Sequence, residues 1–263
     1  MQIFRWVHYQ TLTILNYSSS VLCFIIQHLI SVDKLPPRMR RFFTGIFLSC
    51  FINCCPTTSL AQDVQTEIRY YGTGCFTIQR GENTLLTDPF VDNPSATKVL
   101  FGKIRTDTNY VKQYVNPAAF AKVKLVVAAH AHYDHLMDMP YLSRFIPDST
   151  PIVTNRTGKH LLAYYTMQQP IVVVNDSMGT EHALGEWHYS VDSTMRTMAF
   201  KSLHPPHIAG INFLKKRYNE DLVAEPTLVS DWQEGQTVSF MVDWLEDSAI
   251  TYRMFFMSSM AKF

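Results

Sequence analysis

The chain has 263 residues, 47% of them hydrophobic and 17% charged, with a formal net charge of +1 at pH 7. That composition supports a packed core and excludes a disordered protein. It lacks the extended basic tract of a protein that tracks a phosphate backbone, and no internal repeat or low-complexity segment interrupts it.

In chain order the first segment reads as a leader. Arg40 and Arg41 precede an apolar run at 42–55, and Ser59, Leu60 and Ala61 place small residues where a signal peptidase cleaves. The expectation is an upstream extension at 1–38, a signal peptide at 39–61 cleaved after Ala61, and one exported domain at 62–263, periplasmic or secreted. The apolar runs at 21–30 and 42–55 are both shorter than the ~20 residues a membrane span needs, so no stable span is expected after cleavage. Cys54 and Cys55 lack the small neighbour that lipid attachment favours. Cleavage removes Cys23, Cys50, Cys54 and Cys55 and leaves Cys75 alone, so stability falls to the core rather than to a disulfide. The remaining 18 Lys plus Arg against 21 Asp plus Glu give a net charge near −3. The triplet Lys215, Lys216 and Arg217 reads as a solvated loop, and no nucleic-acid partner is expected.

Strands are predicted near 66–71, 76–79, 84–88, 123–129, 171–175, 189–191, 197–203, 237–244 and 251–256, and helices near 139–145 and 156–167. The stretch 95–116 reads as an insertion, with Tyr110 and Tyr114 in packing roles. Strand hairpins mixed with helices suit an α+β sandwich of two sheets covered by helices.

The strand at 123–129 delivers His130, Ala131, His132, Tyr133, Asp134 and His135 at its carboxyl end. His130 and His132 are two apart, so continued strand geometry projects both to one side, which suits a shared cation. Asp134 and His135 are expected in a loop, because Pro140 fits only the first turn of the helix that follows. Imidazole and carboxylate ligate zinc, with iron and manganese as alternatives. Three histidines and an aspartate within six residues have no ready structural explanation. Farther on, the strand at 197–203 ends in His204, Pro205, Pro206 and His207. Either histidine is placed to reach the metal, and the position nearer the strand end favours His204. His182 and His188 read as structural or solvated.

The pattern His130-x-His132-x-Asp134-His135 resembles the signature of the metallo-β-lactamase superfamily of metal-dependent hydrolases at every specified position. The segments 70–76 and 84–90 look like that family's opening hairpin. The resemblance implies an αβ/βα sandwich, with His130, His132 and a later histidine on one ion and Asp134 and His135 on a second. It implies that Asp88 supports these ligands from behind, fixing the tautomer of an imidazole. The implied activity is hydrolysis of an ester, lactone, amide or phosphodiester of a small molecule by metal-bound hydroxide, with Asp134 orienting or accepting a proton from it. Zinc is the expected cofactor, two ions in an intact homologue. The lactonase and phospholipase-D-like branches look closest.

The end of the chain departs from the family pattern. No histidine follows His207, and Ser258 or Ser259 stands where a bridging aspartate is expected. Asp243 and Asp247 read as exposed or turn residues. The expectation is therefore a domain that lacks its last strand and helix. The alternative function is a metal-binding domain with impaired or no catalysis. A redox iron centre is disfavoured, since Cys75 alone cannot ligate an iron–sulfur cluster.

Overall fold

Two sheets face each other across an apolar layer in the computed structural model, which describes residues 64–206 and 213–258. The expected leader at 1–61, its four cysteines, His207 and Ser259 lie outside the described residues. The first sheet runs in spatial order β1 (Thr66–Gly72), β2 (Cys75–Arg80), β3 (Asn83–Thr87), β4 (Val123–Val127), β5 (Ile152–Thr154) and β6 (Ile171–Val173). Its first three strands are antiparallel and β3 to β6 are parallel. The second sheet is antiparallel throughout, in the order β10 (Ala249–Phe256), β9 (Val238–Glu246), β8 (Met195–Lys201), β7 (Trp187–Tyr189).

Alternation along β4 explains its place in the middle of the molecule. Leu125 and Val127 face the second sheet and meet Leu85, Phe240, Val242 and Trp244. Val126 points the other way, into a cluster with Leu86 and the helical residues Phe120, Leu136, Leu142 and Leu161. A parallel strand covered on both faces reads as a near-continuous apolar run, which Leu125 to Ala129 displays after Lys124 at the strand's start. Each fully buried Leu or Val here contributes about 1.5–3 kcal/mol.

The helices are α1 (Ala96–Phe101), α2 (Thr108–Tyr114), α3 (Pro117–Phe120), α4 (Tyr133–Leu136), α5 (Met139–Leu142) and α6 (Arg156–Leu162). Among the described residues apolar side chains of α2 to α6 join the cluster on the outer face of the first sheet, α1 buries none, and no helix joins the layer between the sheets. The result is an α+β two-sheet sandwich, and no described helix is long and apolar enough to cross a membrane.

Several local expectations change. The stretch 95–116 holds two short helices: Ser95 and Asp107 accept backbone N–H groups at their starts, Asn116 does the same for α3, and Pro117 occupies its first turn. Tyr114 packs on the core, with the Tyr110 ring 4.9 Å from its own. Asp134 and His135 lie in the one-turn helix α4 rather than in a loop, and Pro140 sits in the first turn of the separate helix α5. The helix at 156 stops at Leu162.

Asp243 is neither exposed nor in a turn. It is fully buried in mid-β9, because Arg196 from β8 and Arg253 from β10 close over it at 2.8 and 2.6 Å. Burial alone would raise its pKa, but the hydrogen bonds and charges of Arg253 and Arg196 outweigh that and hold it below the ordinary carboxylate value. Asp247 does occupy a turn, with Ser248, both at positive φ as a two-residue hairpin of primed type requires.

Candidate metal centre

Three parallel strands of the first sheet end side by side, and polar residues follow each. Asp88 follows β3, His130 follows β4 after Ala128 and Ala129, and Asn155 follows β5. The carboxyl edge of a parallel sheet is where ligand sites form, since loops there diverge and leave a crevice.

The segment just before β9 draws the second sheet to this edge. The Ala131 N–H donates to the Glu234 carbonyl at 3.1 Å, and the Val238 N–H donates to the Ala129 carbonyl at 2.9 Å. On its other side the Ser202 N–H donates to the Thr237 carbonyl at 3.1 Å, and Gln236 Nε2 donates to the Ser202 carbonyl at 3.1 Å. Asn155 Nδ2 donates to the carbonyls of Glu234 and Gln236 at 2.9 and 2.8 Å. Gly235 has φ +73°, and a Cβ there would lie 2.7 Å from Thr157, so glycine meets both the backbone and the space requirement. His130 and His132 from one sheet and His204 from the other are therefore stitched to a single strip of backbone.

These three histidines converge. One ring nitrogen from each lies within 4.8 Å of the others, and His130 and His132 are buried while His204 is half-buried. Ring centroids are 4.7 Å apart for His130 and His132, 4.7 Å for His130 and His204, and 5.1 Å for His132 and His204. Nitrogens on one tetrahedral zinc are about 3.4 Å apart, so closing on an ion requires at most a small adjustment. His204 Nδ1 lies 2.7 Å from the Pro205 carbonyl. A carbonyl only accepts, so the proton is on Nδ1 and the lone pair is on Nε2, the tautomer a ligating imidazole needs. The donor set fits a divalent ion such as zinc.

His135 sits behind this triad, its ring centroid 3.9 Å from that of His130. Its Nδ1 donates to Asp88 Oδ2 at 2.8 Å, and Asp88 Oδ1 accepts the Ala129 N–H at 2.7 Å. Burial works against charging His135, but the Asp88 charge and hydrogen bond, followed by Asp134, raise its pKa. Its Nε2 is 3.8 Å from Asp134 Oδ2, and the Asp134 side chain is 34% exposed. These two side chains offer two donors, and no third joins them among the described residues. Ser258 reaches the same corner: a Cβ on Gly74 would lie 3.0 Å from the Ser258 Cβ and would collide with Asp88 Oδ2.

Residues 83–206 match the family model described as the beta-lactamase superfamily domain. This central segment of the chain is similar to that superfamily's domain. No curated protein matches the chain. Solved structures resemble it, among them three hydrolase or metallo-beta-lactamase fold proteins. The metallo hydrolase Igni18 from Ignicoccus hospitalis is 16% identical, with TM-score 0.40 over 72% of this chain and 59% of its own. The isothiocyanate hydrolase from Delia radicum gut bacteria is 15% identical, with TM-score 0.36 over 68% and 58%. The metallo-beta-lactamase fold protein YhfI from Bacillus subtilis is 14% identical, with TM-score 0.34 over 65% and 50%. The match thus spans between half and three-fifths of those proteins.

Several residues near the histidines carry no signal in the sequence pattern. Asp138 is fully buried, and its Oδ2 accepts the N–H groups of Val91 and Asp92 at 2.7 Å each. Burial pushes its carboxyl up to about 6 against the pull of those amides. Asn155 and the strip 234–238 matter through backbone contacts far away in sequence. His188 pairs with Ser177 at 3.0 Å and His182 is exposed, so neither joins the centre. Cys75 is buried near Asp138 and Asp88, and burial raises its thiol pKa far above the ordinary value.

Proposed function

We propose that the chain is a metal-dependent hydrolase whose ion is held by His130, His132 and His204. The convergence of these three imidazoles from two sheets carries the reading. A divalent ion there, zinc by its donor set with manganese or iron as alternatives, supplies an acidified water and polarises the oxygen of the group under attack.

The chain's own residues divide the remaining work. Asp134, one-third exposed at the rim, orients the attacking water and takes its proton at Oδ2. Asp88 holds the His135 ring in one tautomer and keeps Nε2 turned toward Asp134. Asp134 and His135 are the donors available to a second ion. The substrate class is a small-molecule ester, lactone, amide or phosphodiester. Export to the periplasm or medium belongs to the same proposal, supported by Arg40, Arg41, the apolar run at 42–55 and the small residues at 59–61.

The test is metal analysis of the purified protein together with a hydrolase panel run on wild type and Asp134→Ala. At least one ion per chain and a rate loss of about 100-fold in the variant are expected. Absence of a stoichiometric ion, or equal rates, would overturn the reading. The second reading is a metal-binding domain with impaired catalysis. It is favoured by Ser258, a residue with no carboxylate, lying against Gly74, whose other neighbour is Asp88. A bound ion without turnover of any panel substrate supports it.

A further inference from the structure

The loop that carries Asp88 is under local constraint. Asp88 has φ +34°, a left-handed conformation that a residue with a Cβ adopts only when its surroundings impose it. Its side chain spans two segments, Ala129 and His135, so a small rotation of its backbone would break one bond or the other.

Asp138 grips the chain just beyond it. Its backbone N–H donates to the Pro89 carbonyl at 3.2 Å, while its Oδ2 receives the amides of Val91 and Asp92. Asp92 passes the constraint on: its Oδ1 accepts the Asn93 amide at 2.7 Å, and its Oδ2 accepts the amide of Asp107, the cap of α2, at 2.8 Å. Three hydrogen bonds thus tie Asp138 to Pro89, Val91 and Asp92, and the two to its carboxyl are short, and charge-assisted when it is ionised. His135 lies in α4 and Asp138 at the start of α5, three residues on, so the 88–92 loop is clasped at both ends.

We infer that Asp138 is a positioning residue of the metal centre, holding the 88–92 loop so that Asp88 keeps His135 in a single orientation. The inference rests on the metal-centre reading above. A side-chain oxygen at this reach is required, because one atom accepts two convergent amides. Asn retains such an acceptor in the same place, whereas Ala removes it and Glu displaces it by one methylene.

Zinc is the probe. Its dissociation constant is measured by competition with a chromophoric chelator for wild type, Asp138→Ala, Asp138→Asn and Asp138→Glu, alongside the thermal midpoint of each apo protein. The His135 Nδ1 proton, hydrogen-bonded to Asp88, is followed by NMR. The expected result is zinc binding at least tenfold weaker in Ala and Glu, within about threefold of wild type in Asn, with the low-field imidazole proton lost in Ala and Glu. Asp243→Asn serves as a control, since it loosens the outer face of the second sheet and should leave zinc affinity unchanged. If Ala does not fold, the contrast between Asn and Glu carries the test. Variants that lower the thermal midpoint yet bind zinc like wild type would reduce Asp138 to a structural role and overturn the inference. Wild type that fails to bind zinc would overturn the metal-centre reading itself.

Discussion

Asp88 accepts the Nδ1 proton of His135 with one oxygen and the Ala129 amide with the other, at 2.8 and 2.7 Å. Asp88→Ala breaks both links at once, freeing the imidazole and leaving a buried amide without its acceptor. The expected outcome is a 10- to 100-fold loss of zinc affinity or of hydrolytic rate. Chelator competition and steady-state kinetics on the same preparation measure it, and an unchanged constant in both would remove Asp88 from the centre.

Gly74 abuts that carboxylate. A methyl group there would strike Asp88 Oδ2 and press on Ser258. Gly74→Ala is expected to cost about 1–3 kcal/mol of stability, as overpacked buried positions do. Urea unfolding reports that cost, and zinc titration reports the accompanying tilt of His135.

The triad predicts a sharp distinction among histidines. His204→Ala should abolish stoichiometric ion binding, whereas His188→Ala, whose imidazole pairs with Ser177, should leave it intact. Metal content after dialysis separates the two, and equal metal retention would refute the assignment of His204.

Asp243 supplies the pH test. Its folded pKa lies below the ordinary carboxylate value because Arg253 and Arg196 outweigh burial. A depressed folded pKa adds stability that is present above about pH 4 and is lost as pH falls through the folded value. Wild type should therefore exceed Asp243→Asn in stability at pH 7, by about 1–2 kcal/mol since Arg253 is half exposed. The gap should close as pH falls below 4. Urea midpoints across pH 7 to 2.5 decide it, and a constant gap would exclude the ion pair as its origin.

The histidine centre is partly legible in the sequence for a physical reason. A strand buried on both faces reads as a near-continuous apolar run, so the switch from Val127, Ala128 and Ala129 to His130 marks its end without ambiguity. His204 is legible from its place just beyond the alternating strand β8. Other parts are not. β5 is three residues long and follows Pro151, too short for a period to show. Asp243 sits on the outward register of β9 between Val242 and Trp244, and alternation marks that register as exposed; only its neighbours on β8 and β10 reveal the cover. Asp138 and the strip 234–238 act through backbone amides and carbonyls, whose partners leave no trace in side-chain pattern. Asp134 and His135 were displaced from loop to helix because Pro140 restricts α5 but not the separate turn before it.

The strip from Glu234 to Val238 binds the backbone of both histidine-bearing segments, so the three imidazoles meet only after the two sheets have docked. An ion bound there would act as a reporter of assembly as well as a reagent. Each tenfold excess of free ion over its dissociation constant would shift the folding equilibrium by about 1.4 kcal/mol. The thermal midpoint of the chain would then rise with the concentration of available metal, which makes the fold itself a gauge of metal supply.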